Sequence, residues 1–236
     1  MFCRIAELSI EIPASEGLAL RCRDYRAAAE GAADIVIQPE QYRYPNVDTP
    51  CELGYDVEYM ESGMQFYWAL LRHNGLMLHA SAAALGGRAY LFSGPCGRGK
   101  STHTRLWQQT FGEAVQVFND DKPALRRMDG RWYAYGTPWC GKDGINLNQK
   151  WPLSGICFLE KAEENRIRRL SAAEALPLVL AQTTYRLQPQ SMDWLLASLD
   201  KLLREVPVFL LENRPERAAV RLSYETMRRA AEEEGL

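Results

Sequence analysis

The feature that most constrains the fold of this chain is the glycine-rich stretch Gly-Pro-Cys-Gly-Arg-Gly-Lys-Ser-Thr at residues 94–102. The apolar run Arg88–Ser93 before it predicts a β-strand, and residues 101–110 after it are typical of a helix. A strand that leads through a glycine-rich loop into a helix is a building unit of α/β folds. We therefore predict an α/β fold, with a mixed sheet because hairpins flank this unit.

Residues 94–101 match the pattern G-x-x-x-x-G-K-[ST] at every fixed position. Glycines let the backbone wrap so that successive N–H groups point at phosphate oxygens, and the following helix adds its positive N-terminal end. In such a loop Lys100 would neutralise the β- and γ-phosphates of ATP, and the Ser101 hydroxyl would bind Mg²⁺. The predicted ATP-binding residues are Gly94, Pro95, Cys96, Gly97, Arg98, Gly99, Lys100, Ser101 and Thr102.

The alternative for this stretch is a glycine-rich turn that contains Lys-Ser by chance. The strand before it and the helix after it favour the phosphate-binding loop. Within the loop, Cys96 should act through its backbone, with a redox-sensing thiol as the alternative. Arg98 either reaches a phosphate or faces solvent.

An acidic pair follows a second apolar run. Val115–Phe118 predicts a short buried strand, and Asn119, Asp120 and Asp121 come directly after it. An enzyme that uses a nucleoside triphosphate needs a carboxylate for Mg²⁺, usually at the end of a buried strand near the phosphate loop. A second carboxylate can accept the proton of an attacking hydroxyl. The alternative is a solvated turn.

The remaining pattern predicts the scaffold around these two motifs. Its elements are a strand within 7–12, a helix at 64–72, a strand at 76–85 paired with 88–93 across Gly86-Gly87, strands at 124–128 and 131–135 joined by Asp129-Gly130, a strand at 153–160, a helix opened by the capping box Ser171 to Glu174, a helix near 192–204, a strand at 208–211 and a final helix from about 216.

The first 62 residues show the weakest pattern, with an Ala-rich piece at 25–33 and a loop at 38–50. We predict that residues 1–62 form an accessory N-terminal lobe, packed on a nucleotide-binding domain at 63–236.

Composition and charge narrow the class of protein. The formal net charge is −2 without a basic block, which argues against nucleic acid as a partner. The six cysteines include no CxxC pair, as is typical of reduced intracellular thiols. No apolar run approaches the ~20 residues that a membrane span needs, and the N-terminus lacks the pattern of a signal peptide. A cytoplasmic protein without membrane contact is predicted.

Three segments resemble, in their order, one known family. They are LHASAAALGGRAYLFSGPCGRGKSTHTRLW at 78–107, VFNDDKPALRR at 117–127 and YGTPWCGKDGIN at 135–146. A hairpin strand with a histidine, a GxxGxGKS-type loop and a strand that ends in Asp-Asp resemble the catalytic core of HPr serine kinase/phosphorylase and of its distant relative, ATP-dependent phosphoenolpyruvate carboxykinase. The resemblance covers roughly 76–160 and extends to stand-alone bacterial HPr-kinase-like proteins. It implies a P-loop core of that family's type with a small N-terminal lobe.

The resemblance also implies roles for single residues. His79 stands at the family's active-site histidine, with a core histidine bonded to a backbone carbonyl as the alternative. Asp120 stands at the aspartate that acts as base and Asp121 at the one that holds Mg²⁺, and the exchange of these two roles stays open.

The segment after the acids differs from that family, which has a Gly-rich Arg-Gly signature where this chain has Pro138–Gly144. Lys142 can replace the arginine as a cation for the transferring phosphoryl group. Gly141 and Gly144 would make its loop mobile. Trp139 would be either a platform for the acceptor or a packing residue.

The leading hypothesis is therefore a kinase that transfers the γ-phosphate of ATP to a hydroxyl, on Ser of a peptide or protein or on a small molecule. The alternatives are an ATP-binding regulatory module and a simple NTPase. Two adjacent carboxylates favour chemistry, since nucleotide binding alone needs only one. The acceptor stays unidentified, and a homo-oligomer is compatible with the resemblance.

Overall fold

A computed structural model describes residues 1–41, 57–183 and 187–236. In these ranges the chain forms a mixed sheet with helices on both faces, and a small separate sheet near the N-terminus. The predicted α/β class with a mixed sheet is confirmed. Most of the loop predicted at 38–50, together with Cys51, lies outside the described residues.

The predicted strands are present in the predicted order, with shifted boundaries and with the one at 76–85 divided in two. The strands of the described chain are β1 (Phe2–Ile5), β2 (Leu8–Glu11), β3 (Ile35–Val36), β4 (Gly75–Met77), β5 (Ala80–Leu85), β6 (Arg88–Ser93), β7 (Gln116–Asn119), β8 (Ala124–Met128), β9 (Arg131–Tyr135), β10 (Lys150–Lys161), β11 (Arg166–Arg169) and β12 (Val208–Asn213). The short strands β1, β3 and β11 were not predicted.

Five of the six α-helices of the described chain correspond to predicted helices. The six are α1 (Glu16–Arg21), α2 (Val57–Leu70), α3 (Lys100–Phe111), α4 (Ala172–Ala181), α5 (Pro189–Glu205) and α6 (Arg217–Glu233). Helix α1 was not predicted. The predicted capping box opens α4, because the Ser171 side chain accepts from the Glu174 N–H while the Glu174 carboxylate accepts from the Ser171 N–H. None of the helices in the described ranges has the length and apolar character needed to cross a membrane.

The main sheet has the order β4-β8-β9-β10-β6-β5-β7, and β12 lies on β10 with β11 beside it. The long strand β10 runs parallel to β6 and β12 but antiparallel to β9, so it connects the two parts of the sheet. The hairpins predicted at Gly86-Gly87 and Asp129-Gly130 join β5 to β6 and β8 to β9.

The two faces of the sheet are buried under different helices. Side chains of successive strand residues point to opposite faces, so Ala83, Tyr90 and Phe92 pack with Trp107 of α3 and Val220 of α6. The alternate strand positions, which include Ala82, Ala84 and Leu91, pack against Val179 of α4 and against Leu195 and Leu199 of α5. Burial on both faces explains why β5 and β6 are almost continuously apolar.

A third apolar cluster joins the N-terminal sheet to the rest of the molecule. Ile5, Ile10 and Tyr25 pack with Phe66 of α2 and with Trp139. The predicted lobe boundary at 62–63 falls inside α2, and the division into two domains stays a prediction.

The prediction of a single strand at 76–85 is wrong, because this segment forms two strands, β4 and β5. β4 pairs with β8, whereas β5 pairs with β6 and β7. The break lies at Leu78 and His79, where the His79 N–H donates to the carbonyl oxygen of Gln182 at 2.7 Å. The chain changes partners at this point, and His79 therefore sits at the junction of two strand pairs.

Gly136 provides a test of the packing that surrounds the end of β7. A Cβ atom at this position would lie 1.8 Å from the Leu147 carbonyl oxygen and 2.8 Å from that of Phe118. Gly136→Ala should lower the free energy of unfolding by about 3 kcal/mol or more, because two backbone groups would have to move. Urea denaturation measures this loss.

Gly155→Ala is the matched control, since its added carbon would meet the flexible end of Met227 at 2.9 Å. We expect it to cost about 1 kcal/mol. Equal losses in the two variants would show that the backbone contact at Gly136 is not a constraint.

Candidate active site

The loop between β6 and α3 contains glycines in backbone conformations that other residues rarely adopt. Gly94, Gly97 and Gly99 have φ angles of 138°, 80° and 95°, in the region that L-residues with side chains rarely adopt. Gly99 is the N-cap of α3, and its carbonyl accepts the His103 N–H at 2.8 Å. The loop therefore delivers the chain directly into the N-terminus of a helix of three turns.

Lys100 begins this helix and turns back over the loop. Its ammonium donates to the carbonyl oxygens of Gly94 at 2.8 Å and Pro95 at 3.4 Å, and the residue is 9% exposed. Burial lowers the pKa of Lys100, and the nearby Asp121 carboxylate opposes that shift. Ser101 follows half-buried, whereas Thr102 is exposed. The four loop residues at 95–98 are exposed.

The two acids stand at the end of β7, where the sequence predicted them, and the side chain of Asn119 fixes the turn that carries them. The Asn119 Oδ1 atom accepts the N–H of Asp121 at 3.0 Å and of Lys122 at 2.7 Å. Its Nδ2 atom donates to the carbonyl oxygen of Thr137 at 3.2 Å. Asn119 is fully buried, so one amide sets the direction of both acids.

Asp120 points toward the segment that follows β9. Its Oδ1 atom accepts the Gly141 N–H at 2.5 Å, and the residue is 7% exposed. Burial raises the pKa of Asp120, and the hydrogen bond from Gly141 offsets part of that increase. A side chain at Gly141 would collide with this carboxylate, since a Cβ atom there would lie 2.8 Å from Asp120 Oδ2.

Asp121 points the other way, toward His79. The His79 Nε2 atom lies 3.1 Å from Asp121 Oδ1, and His79 Nδ1 lies 2.9 Å from Gln182 Oε1. Lys122 forms an ion pair with the second oxygen of Asp121. Burial raises the pKa of Asp121, but the hydrogen bonds from His79 and Lys122 outweigh it and lower the pKa to about 2. The adjacent acids thus have pKa shifts of opposite sign.

The structure therefore brings Lys100, His79, Asp120 and Asp121 to one end of the sheet. Lys142 is different: it is exposed, and within the described ranges it forms no hydrogen bond or ion pair. Its neighbour Asp143 binds Arg105 of α3 at 2.6 Å, which ties this loop to the helix after the glycine-rich loop.

The platform role considered for Trp139 is wrong. Trp139 is 1% exposed, and its ring stacks on Phe66 with centroids 4.8 Å apart. Its indole N–H donates to the Ser62 hydroxyl at 3.2 Å. Trp139 therefore anchors the segment before Gly141 to α2, and its buried ring is not available to a ligand.

Sequence reasoning missed Tyr59, which also supports this segment. The Tyr59 hydroxyl accepts the Cys140 N–H at 2.5 Å and donates to the Cys140 carbonyl oxygen at 2.9 Å. Tyr25 adds a hydrogen bond to Asn146 at 3.0 Å. These contacts link residues about 80 and 120 positions apart in the chain. No local sequence pattern could predict them. The buried Asn119 and the paired Lys122 were visible in the sequence, beside the acids.

A groove with a volume of about 460 Å³ lies against the glycine-rich loop. It is bounded by Gly97–Gly99, by the turn after β10 and by the turn after β12. Its charged lining consists of three cationic residues and one acidic residue, namely Arg98, Lys161, Arg214 and Glu163, so the cationic residues are in excess. The groove is therefore suited to an anionic ligand that reaches the loop.

Comparison with known proteins leaves the family of the chain open. No family model matches it, and neither does any curated protein. Among solved structures, the HPr(Ser) kinase/phosphatase from Coxiella burnetii is similar over 65% of this chain and 88% of that chain, with 16% sequence identity and a TM-score of 0.36. A likeness this distant supports no statement about function, which has to be inferred from the side chains of the site.

The contacts of Tyr59 generate a prediction about Asp120. Tyr59→Phe removes the acceptor for the Cys140 N–H and loosens the neighbouring Gly141 N–H from Asp120. The pKa of Asp120, already raised by burial, should therefore rise further. A pH titration followed by carbon-detected NMR of the side-chain carboxylates measures it.

Tyr90→Phe is the matched control, because Tyr90 is equally buried but lies on the α3 and α6 side of the sheet. It should leave the Asp120 titration unchanged. An unchanged Asp120 pKa in Tyr59→Phe would show that the hydroxyl does not act on the carboxylate.

Proposed function

We propose that this chain is an ATP- and Mg²⁺-dependent kinase that transfers the γ-phosphate to a hydroxyl group, on a serine of a peptide or protein or on a small molecule. The observation that carries the proposal is the meeting of the Lys100 loop with two acids of opposite pKa shift. The charge of Asp121 opposes the lowering of the Lys100 pKa, and Asp120 is the residue directly before Asp121.

The loop suits a polyphosphate. Three of its glycines have positive φ, and the loop ends at the N-terminus of α3, where the helix dipole favours negative charge. Lys100 now donates to carbonyl oxygens of its own loop. Phosphate oxygens are stronger acceptors for an ammonium group, so a bound phosphate would replace them. The groove of about 460 Å³ gives the nucleoside room beside the loop.

The donor set also suits Mg²⁺. Among the residues that the structure describes, no three His, Cys, Asp or Glu side chains are grouped to hold a metal ion by themselves. Mg²⁺ bound to a nucleotide needs only one or two protein oxygens, because phosphates and water complete its shell. Ser101 and Asp121 offer a hydroxyl and a carboxylate that stays ionised, since its pKa is about 2. The bound ion would supply charge neutralisation at the phosphates.

The raised pKa of Asp120 suits a general base. In the transfer, the acceptor oxygen bonds to the γ-phosphorus, the bond from that phosphorus to the β,γ-bridging oxygen breaks, and the acceptor proton passes to Asp120 while ADP leaves. A base works best when its pKa lies closer to the working pH, and burial moves Asp120 in that direction. Two neighbouring carboxylates with divergent pKa values are the arrangement that separates such roles.

His79 has a positioning role in this proposal. It contacts Asp121 through Nε2 while Gln182 holds its Nδ1 atom, so it fixes the direction of the carboxylate that would meet the metal. Lys142 stays a prediction as a cation for the transferring group. The N-terminal residues pack on Trp139 and Tyr59. In this proposal they support the segment that contacts Asp120.

The two acids should separate binding from transfer. Asp120→Asn should lower γ-phosphate transfer by about 100-fold or more, because the proton acceptor is lost, with the Kd for Mg-ATP within about twofold of wild type. Asp121→Asn should instead raise the Mg²⁺ concentration that supports binding. Calorimetry measures binding, and γ-³²P-labelled ATP with serine-containing peptides and small alcohols measures transfer.

Lys100→Ala is the comparison for lost binding and should weaken Mg-ATP by about tenfold or more. If both acid variants bind Mg-ATP and transfer phosphate normally, Asp120 and Asp121 form a solvated turn. If the wild-type chain binds Mg-ATP but transfers phosphate to no acceptor, the result supports the ATP-binding regulatory module. If it transfers phosphate only to water, the result supports the simple NTPase.

A further inference from the structure

Lys122 lies in the site without a role in the function described so far. Its ammonium forms an ion pair with Asp121 on the side opposite His79, and its side chain is 37% exposed. The Asp121 carboxylate of this pair also acts electrostatically on Lys100, because its charge opposes the lowering of the Lys100 pKa. Lys122 is therefore a second lysine at the point where the acids meet the glycine-rich loop.

The backbone of Lys122 is fixed on both sides of its side chain. Its N–H donates to Asn119 Oδ1 at 2.7 Å, and its carbonyl oxygen accepts from Tyr67 and from Thr137, the latter at 3.0 Å. All three partner residues are at most 2% exposed. Pro123 follows and restricts the backbone of Lys122 further. Only side-chain torsions are left to move the ammonium, so its position is limited to the reach of one lysine side chain from this fixed backbone.

This placement differs from that of Lys142, the cation expected from the sequence. Lys142 is exposed on its loop, and the described residues give it no polar partner. Catalysis by a cation needs a group held in position before the reaction, because reorganisation during the reaction raises the barrier. The contacts of Lys122 meet this requirement and those of Lys142 do not.

We propose that Lys122 is a catalytic cation of the kinase reaction, which pairs with Asp121 while the site is empty and contacts the transferring phosphoryl group when nucleotide is bound. The proposal rests on the proposed function. A metal ion and Lys122 compete for the same carboxylate, so the ammonium that yields Asp121 to the metal becomes free to pair with another anion. The transferring group carries negative charge on three equatorial oxygens, and Lys100 neutralises only part of it.

The competition gives Lys122 a signature that a structural lysine would lack. Removing the ammonium should free Asp121 for a metal ion and at the same time slow phosphate transfer. The nucleotide-free site should hold a metal ion only weakly, because Asp121 is its main ligand, and we expect Lys122→Ala to bind Mn²⁺ there about fivefold more tightly than wild type, since a positive charge beside the carboxylate is gone. The kcat for transfer should fall by about 100-fold with little change in the KM for ATP.

The experiment combines electron paramagnetic resonance titration of Mn²⁺ on the nucleotide-free chain with γ-³²P transfer kinetics. Lys122→Arg keeps the charge and should retain near wild-type Mn²⁺ affinity, with transfer above that of Lys122→Ala. Lys201→Ala, an exposed lysine on α5, is the control that should change neither quantity.

Three results would overturn the role of Lys122. They are an unchanged kcat in Lys122→Ala, weaker Mn²⁺ binding together with slower transfer, and a large loss of kcat in Lys142→Ala with none in Lys122→Ala. If the wild-type chain transfers no phosphate to any acceptor, the proposed function fails and the role of Lys122 fails with it. Normal wild-type transfer with one of the three results overturns the role of Lys122 alone.

Discussion

The buried amide of Asn119 is the contact on which the arrangement of the site depends. Its oxygen accepts the N–H groups of Asp121 and Lys122, and its nitrogen donates to the segment that begins at Thr137. Both ends of one fully buried side chain are used, and an unpaired amide in this position would cost about 1–3 kcal/mol. Asn119 therefore sets the turn after β7 and joins it to the loop that reaches Asp120.

Two consequences follow from this turn. Asp120 is buried and faces the Gly141 N–H, and because burial outweighs this hydrogen bond its pKa is raised. Asp121 faces His79 and Lys122, so two hydrogen bonds outweigh the burial and its pKa is lowered to about 2. Neighbouring residues of the same type thus acquire different chemistry because the backbone sends them to different partners.

Much of this could be predicted from the sequence because it is local. The glycines at 94, 97 and 99 predict a loop before a helix, and Asp129-Gly130 predicts a hairpin. Each of these patterns depends on only a few adjacent residues. The break at His79 could not be predicted from the apolar run, because it depends on Gln182, about a hundred residues later. Burial of Trp139 likewise depends on α2, so a residue that could serve as a platform proves to be a packing residue.

The central claim is that the loop at 94–102 holds the phosphates of a nucleotide beside the two acids. Hydrogen exchange followed by mass spectrometry, with and without a non-hydrolysable ATP analogue and Mg²⁺, tests it most directly. The account predicts slower exchange at the amides of Gly94–Thr102 and at those of 119–122, with no change in the distant hairpin of β8 and β9 beyond residue 126. Unchanged exchange in the loop, with protection elsewhere, would contradict it.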